Sequence, residues 1–374
     1  MSFPLWITNQ YLEKVKMSRI RKAELSYFNI FLCLLVIFIH CSSIPVTSLE
    51  KGSWQYAAVF LPWRLSGFAV YGFLFLSALK LCLPRTKPFS CGKFYWQRFY
   101  KIFLPYIAWV CIYYIWFVYL GYFPLNPLAL FRYICVGDLV SHFYFIILLL
   151  QFYLLAPLWR KLAAQTQPAI TLLMCAFLTM FFREALPSLL QLLGVQNFIY
   201  NDRIFTSYLV FWVAGCYAGQ FYESLCNWLL NHKTSVFILF AIVCTAEGAL
   251  SYLGFSGVCN FAFLETLHLL YCICAILFFL CCSILLAQKK PNLQVGTALL
   301  DRSTYGIYLS HILVIFATNA VLETFGVFSL GVAYLIRLIS AFGITIPFCM
   351  LFHWIMQRCK PLFYKRRIDL YHTS

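Results

Sequence analysis

Runs of about 20 apolar residues recur along almost the whole chain, and few folds can accommodate them. They lie near 25–45, 56–79, 102–121, 142–159, 168–182, 204–222, 235–254, 266–287, 303–322 and 329–355. A helix rises ~1.5 Å per residue, so a run of this length reaches across a bilayer core. It also satisfies its own backbone hydrogen bonds where no water can. Only 11% of residues are charged, against roughly 25% in soluble domains. That is too few to coat a globule, so lipid must solvate most of the surface. The expectation is an all-α, polytopic integral membrane protein with about ten transmembrane helices. It forms a single domain over residues 1–374, with spans from roughly 25 to 355. The first run is longer than a signal-peptide core and lacks an Ala-x-Ala-like cleavage site, so it reads as a retained span.

The net charge of +16 would suggest nucleic acid in a soluble chain, but here its distribution explains it. Lys14, Lys16, Arg19, Arg21 and Lys22 precede the first span, and Lys80, Arg85, Lys87, Lys93, Arg98 and Lys101 lie between the second and third. Arg160, Lys161, Lys233, Lys289, Lys290 and Arg302 fall in later loops on the same side, with five more cations after the last span. The opposite loops hold only Lys51, Arg132, Arg183 and Arg203. By the positive-inside rule both termini are expected in the cytoplasm, and no nucleic-acid partner is implied. The 17 cysteines are scattered through apolar stretches as small hydrophobes. The tightest group, Cys272, Cys274, Cys281 and Cys282, lacks zinc-ligand spacing, so no metal is expected.

Ionisable residues inside spans are costly and are functional candidates by default. They are His40, Arg64, Glu247, His268, His311 and Arg337, with His142 at a span edge. Each also has a structural reading. Arg64 would snorkel to the outer interface, and Glu247 and Arg337 would pair with each other or with backbone. His40 lies ~22 Å along the first span from its cytoplasmic end, where a neutral imidazole can accept a proton.

At this point the pattern resembles the acyltransferase-3 family of bacterial membrane acyltransferases. "ELSYFNIFLCLLVIFIH" resembles its opening helix, and "GFAVYGFLFLSALKL" its second span. "FYWQRFYKIFLPYIAW" is similar to the basic stretch entering the third span through Pro105-Tyr106. "SHFYFIILLLQFYLLAPL", "YLVFWVAGCYAGQF" and "LLDRSTYGIYLSHILVIF" resemble three further segments, in order. One departure stands out. Where the family commonly reads Leu-Asp-x-Leu-Arg, this chain reads Leu25-Ser26-Tyr27-Phe28-Asn29. Both charges are replaced together by a neutral hydrogen-bonding pair, so neither is stranded. Asn29 shares a helix face with His40, because eleven residues return within about 20°.

The resemblance implies transfer of an acyl group, most often acetyl, from cytoplasmic acyl-CoA to a hydroxyl of a lipid-linked or cell-surface glycan. It implies a multi-pass protein of the bacterial cytoplasmic membrane. His40 is then the expected general base. Arg98 and Lys101, one turn apart at the inner mouth of the third span, are expected to hold the CoA phosphates, with Asn29 contributing by hydrogen bonding. The acceptor-side candidates are His142, Tyr144, Arg64 and His311, although interfacial anchoring and helix packing would also account for these positions. Arg64, Arg337 and Tyr308 all stand open as oxyanion donor. The depth of His40 requires the pantetheine arm to thread into the bundle. A flippase of a lipid-linked sugar and a catalytically inactive relative are the competing classes.

Overall fold

In a computed structural model, residues 22–84, 88–195, 198 and 200–371 are described, with backbone only for 359–371. The basic residues Lys14, Lys16, Arg19, Arg21, Arg85 and Lys87 lie outside the described residues. The described chain is all-helical, with no strands. The helices are α1 (Ala23–Ser48), α2 (Trp54–Ser66), α3 (Phe68–Cys82), α4 (Cys91–Arg98), α5 (Leu104–Tyr119), α6 (Pro127–Val136), α7 (Tyr144–Leu154) and α8 (Ala156–Gln165). They continue as α9 (Pro168–Met180), α10 (Leu186–Leu192), α11 (Leu209–Gln220), α12 (Tyr222–Asn231), α13 (Lys233–Phe255), α14 (Leu264–Lys289), α15 (Leu293–Thr324) and α16 (Leu330–Tyr371).

Several of these join into single rods. α2 and α3 meet at Gly67, whose backbone stays helical, so Trp54–Cys82 is one span. α4 runs into α5 through a π-helical turn, Phe99–Phe103, and α9 into α10 through another, Phe181–Ala185. α7 and α8 form a pair bent by 60°. The break falls at Leu155, just ahead of Pro157, which has no N–H to continue the ladder.

Eight helices among the described residues are long and apolar enough to cross a membrane, or nine with the bent pair counted as one. The segment expected as a further span, 204–222, is built differently. It makes a 3-10 turn over Phe205–Tyr208 and then the 12-residue α11. At 1.5 Å per residue α11 by itself is about 18 Å long, and with the 3-10 turn before it the segment runs from Tyr208, beside Tyr71, to Glu223, which pairs with Lys22.

α11 is buried by neighbours instead of by lipid. Gly215 and Gly219, four residues apart, face α3 so closely that a Cβ on Gly215 would sit 2.3 Å from the Phe75 carbonyl oxygen. A Cβ on Gly219 would sit 2.4 Å from that of Leu79. This is the small-x-x-x-small contact by which helices approach where no hydrophobic drive operates between them. It puts the backbones of α3 and α11 side by side at the core. α1 packs against α3, α14, α15 and α16, and Phe28, Leu32, Ile37 and Cys41 along it are sealed from the surface. By contrast, α9 leaves Leu173 and Phe177 exposed, and α16 leaves Ile339 and Phe348 exposed. These faces suit lipid.

Candidate active site

A pocket of about 960 Å³ opens among the ends of α1, α3, α4, α12 and α15. Its lining carries Lys22, Lys80, Arg98, Lys101 and Arg302, with Glu223 and Asp301 as the acidic members. Phe73, Phe145, Ile146 and Leu149 form apolar walls, and Asn29, Thr304, Tyr305 and Tyr308 lie along the way inward. Arg98 and Lys101, paired by spacing alone in the sequence, do line one cavity. The Arg98 guanidinium lies 4.4 Å from the Tyr153 ring centroid and 4.9 Å from that of Phe94. Its Nε is buried with no partner among the described residues. A guanidinium stacked on two rings is held in place while its donors stay available.

Ser26 and Asn29, read from sequence as a replacement pair, are each bonded to a third residue. Ser26 Oγ donates to Asp301 Oδ2 at 3.1 Å, and Asn29 Nδ2 donates to Asp301 Oδ1 at 2.8 Å and to Thr304 Oγ1 at 2.9 Å. Asp301 is 5% exposed, and a carboxylate so deeply set needs such donors. Both amide hydrogens of Asn29 are thereby used, so only its side-chain oxygen is left for a further partner.

The deepest feature is a group of three histidines. His40 on α1, His142 in the turn before α7 and His311 on α15 have ring centroids 5.8 Å (His40–His142), 5.1 Å (His40–His311) and 4.9 Å (His142–His311) apart. His142 and His311 are buried and His40 partly so. His311 Nδ1 faces the Ile307 carbonyl at 3.1 Å. His311 Nε2 lacks a hydrogen-bond partner among the described residues, and the His142 ring nitrogens have at most a weak contact to the Leu309 backbone. Buried polar atoms are rarely left this way, which makes the cluster a candidate site. No group of three His, Cys, Asp or Glu among the described residues is arranged to hold a metal ion.

Tyr308 joins the two features. It lines the pocket, and its ring stands 5.1 Å from that of His142 and 6.2 Å from that of His311. Its hydroxyl donates to the His142 carbonyl. Tyr113 braces the next turn of α15, donating to the Leu309 carbonyl at 3.1 Å and accepting from the Leu313 N–H at 2.8 Å. The pocket therefore stops one aromatic side chain short of the imidazoles, none of which is in its lining.

His142, which the sequence put at an interface, is thus 2% exposed and packed between its fellow histidines. Tyr144 turns away from it toward Tyr208 and Tyr71. Arg64 is elsewhere again. Its Nε donates to Glu247 Oε1 at 2.8 Å and its Nη2 to Glu265 Oε1 at 3.2 Å. His268 Nδ1 lies 2.8 Å from the same Glu247 oxygen, and Ser251 Oγ donates to it at 3.1 Å. The expected Glu247–Arg337 pair does not form, because Arg337 Nε donates to Asn319 Oδ1 at 2.6 Å. Asp301, Arg183 and Glu265 were missed as site residues. Extending the apolar run 168–182 through Phe181-Phe182-Arg183 to Leu192 brings Arg183 inside a helix, and that was the available signal.

No curated protein and no solved structure matches the chain. A family model described as "Acyltransferase domain" matches residues 23–354, taking in all of the pocket lining but Lys22, together with Tyr308 and all three histidines. Over nearly its whole length, then, this chain is a member of the acyltransferase-3 family, a multi-pass helical acyltransferase by family and architecture.

Proposed function

We propose that the protein transfers a short acyl group, most simply acetyl, from cytoplasmic acyl-CoA to a hydroxyl of a cell-surface or lipid-linked glycan. In this reading both termini and the pocket rim face the cytoplasm of a bacterial cell, as the bias of basic residues favours. One observation carries the proposal: a large pocket with a basic lining ends one side chain away from three clustered imidazoles. Five cations in the lining suit the phosphates of CoA, with Arg98 offering a fork of donors and Lys101 a point charge. The apolar walls suit the pantetheine arm, and a cavity of this size falls at the upper end for small-molecule sites.

His40 acts as the general base. It takes the proton of the acceptor hydroxyl as that oxygen bonds to the thioester carbonyl carbon. When the C–S bond breaks, the same proton passes to the departing thiolate, so the imidazole ends neutral and CoA leaves as a thiol. His311 and His142 stand beside it, with ring centroids 5.1 Å and 5.8 Å from that of His40. Tyr308 stands between thioester and base, so transfer requires its ring to rotate. The main local cost is its hydrogen bond to the His142 carbonyl, about 1 kcal/mol.

The test uses purified protein in nanodiscs, following thiol release from acetyl-CoA in the presence of membrane glycan. His40→Ala is expected to abolish release. Full activity in that variant refutes the mechanism. In cells, loss of one acyl mass from surface glycans on deleting the gene is the expected result.

A further inference from the structure

Arg64 and Glu247 belong to a second charged cluster at the opposite end of the bundle from the pocket. Lys80 lines the pocket, and Arg64 lies sixteen residues earlier on the same span, about 24 Å away along a helix. On the topology proposed above, this end faces outward. The cluster contains a second guanidinium, Arg183, on the π-helical turn between α9 and α10. Such turns interrupt helices mostly at functional positions.

The two arginines are held unequally. Glu247, wholly buried, is committed to Arg64, His268 and Ser251. Arg183 gives Nη1 to Tyr71 OH at 2.8 Å, and Nη2 reaches Glu265 Oε2 at 3.3 Å. Its Nε is buried without a partner among the described residues. The Nε–Nη2 edge is one that carboxylate or phosphate grips bidentately, and here it carries one long contact and one empty donor. The carboxylate making that contact is the loose member of the cluster. The Glu265 side chain is 42% exposed, while those of Arg64 and Arg183 are 11% and 17% exposed. With Glu265 swung into solvent, Arg64 would keep Glu247 as its partner, while Arg183 would keep only the Tyr71 hydroxyl.

We propose that Arg183, with Arg64, forms a binding site for an anionic group of the acceptor, a sugar carboxylate or phosphate, which takes the place of Glu265. This rests on the transferase reading for its biological role. From Arg183 a seam of tyrosines runs toward the histidines. Tyr71 lies against Tyr208 with centroids 5.5 Å apart and planes tilted by 39°, Tyr144 lies beside both, and Tyr308 lies next to Tyr144. Aromatic faces of this kind suit the apolar faces of sugar rings and leave hydroxyls to be hydrogen-bonded. An acceptor anchored by its charge at Arg183 would direct a hydroxyl along this seam.

The experiment is calorimetric binding to the intact protein in phosphatidylcholine nanodiscs, with glucuronate, glucose 1-phosphate and glucose as probes. At least one anionic sugar is expected to bind, with glucose tenfold or more weaker. Which of the two binds identifies carboxylate or phosphate as the group recognised. Glu265→Gln removes the competing charge and is expected to tighten anion binding several-fold, a gain that no purely structural role produces. Arg183→Gln is expected to erase the preference for anions, and Arg183→Lys to restore it only in part. Equal binding of glucose, or unchanged or weakened anion binding in Glu265→Gln, overturns the proposal. So does loss of sugar binding when phosphatidylglycerol is added, which would give the site to a lipid headgroup. Because Glu265 is half-exposed, its variant keeps the test decisive should Arg183→Gln fail to fold. Anion binding that persists in His40→Ala separates this site from the acyl-transfer mechanism.

Discussion

Replacing Glu247 by Met should destabilise the bundle through a stranded charge, and the size of the effect follows from the surroundings. The Glu247 side chain is 0% exposed and bonded to Arg64, while Arg64 is 11% exposed. Removing one partner of a buried ion pair costs about 3–5 kcal/mol, mostly because the other charge is left uncompensated. Arg64 keeps a contact to Glu265 at 3.2 Å, but with a half-exposed carboxylate, so the lower end of that range, about 3 kcal/mol, is expected. The double variant Arg64→Met with Glu247→Met strands nothing, and apolar replacement of a buried pair is often close to neutral. Its cost should therefore fall below the sum of the single variants by about 2 kcal/mol or more. The assay is reversible unfolding by SDS in mixed micelles, followed by near-ultraviolet circular dichroism for all four members of the cycle. Additive single-variant costs, or a Glu247→Met cost under about 1 kcal/mol, would show that water already compensates Arg64 and would refute the reasoning.

Gly219→Ala should destabilise the protein by about 2 kcal/mol, because its Cβ would meet the Leu79 carbonyl at 2.4 Å. Gly343→Ala, within α16 with nothing in reach, should be neutral or stabilise by up to about 1 kcal/mol; the same unfolding assay compares the two. Arg98→Ala together with Lys101→Ala should raise the KM for acyl-CoA at least tenfold while changing kcat little, measured by thiol release; an unchanged KM removes them from the donor site. Tyr308→Phe deletes the bond to the His142 carbonyl while keeping the ring. If rotation limits turnover, kcat should rise by up to about fivefold, the equivalent of about 1 kcal/mol, and a fall would give the hydroxyl a direct part in the chemistry.

The resemblance and the structure meet most informatively at Ser26 and Asn29. The sequence showed two charges replaced by neutral groups on one helix. It could not show that both side chains turn to Asp301, more than 270 residues away, because no local pattern reports which helix will lie alongside. Arg183 makes the same point in reverse. Counted among loop cations by hydropathy, it lies in a π-helical turn inside a longer rod, its charge met by Tyr71 and Glu265.

Hydropathy alone determined that the chain lives in lipid as a set of helices, because each apolar run must satisfy its own backbone and meet hydrocarbon wherever it ends up. It also determined that His40 sits deep within the first helix, since depth along a helix is only residue count times rise. Tertiary packing decided the rest. Gly215 and Gly219 let α11 dock backbone against backbone on α3, so that protein buries an apolar run which composition alone would set against lipid. The convergence of His40 with His142 and His311, and the placing of Tyr308 between them and the pocket, come from contacts between helices distant in sequence. Such contacts depend on side-chain shape and on small residues at crossing points, and the spacing of apolar residues carries no record of them.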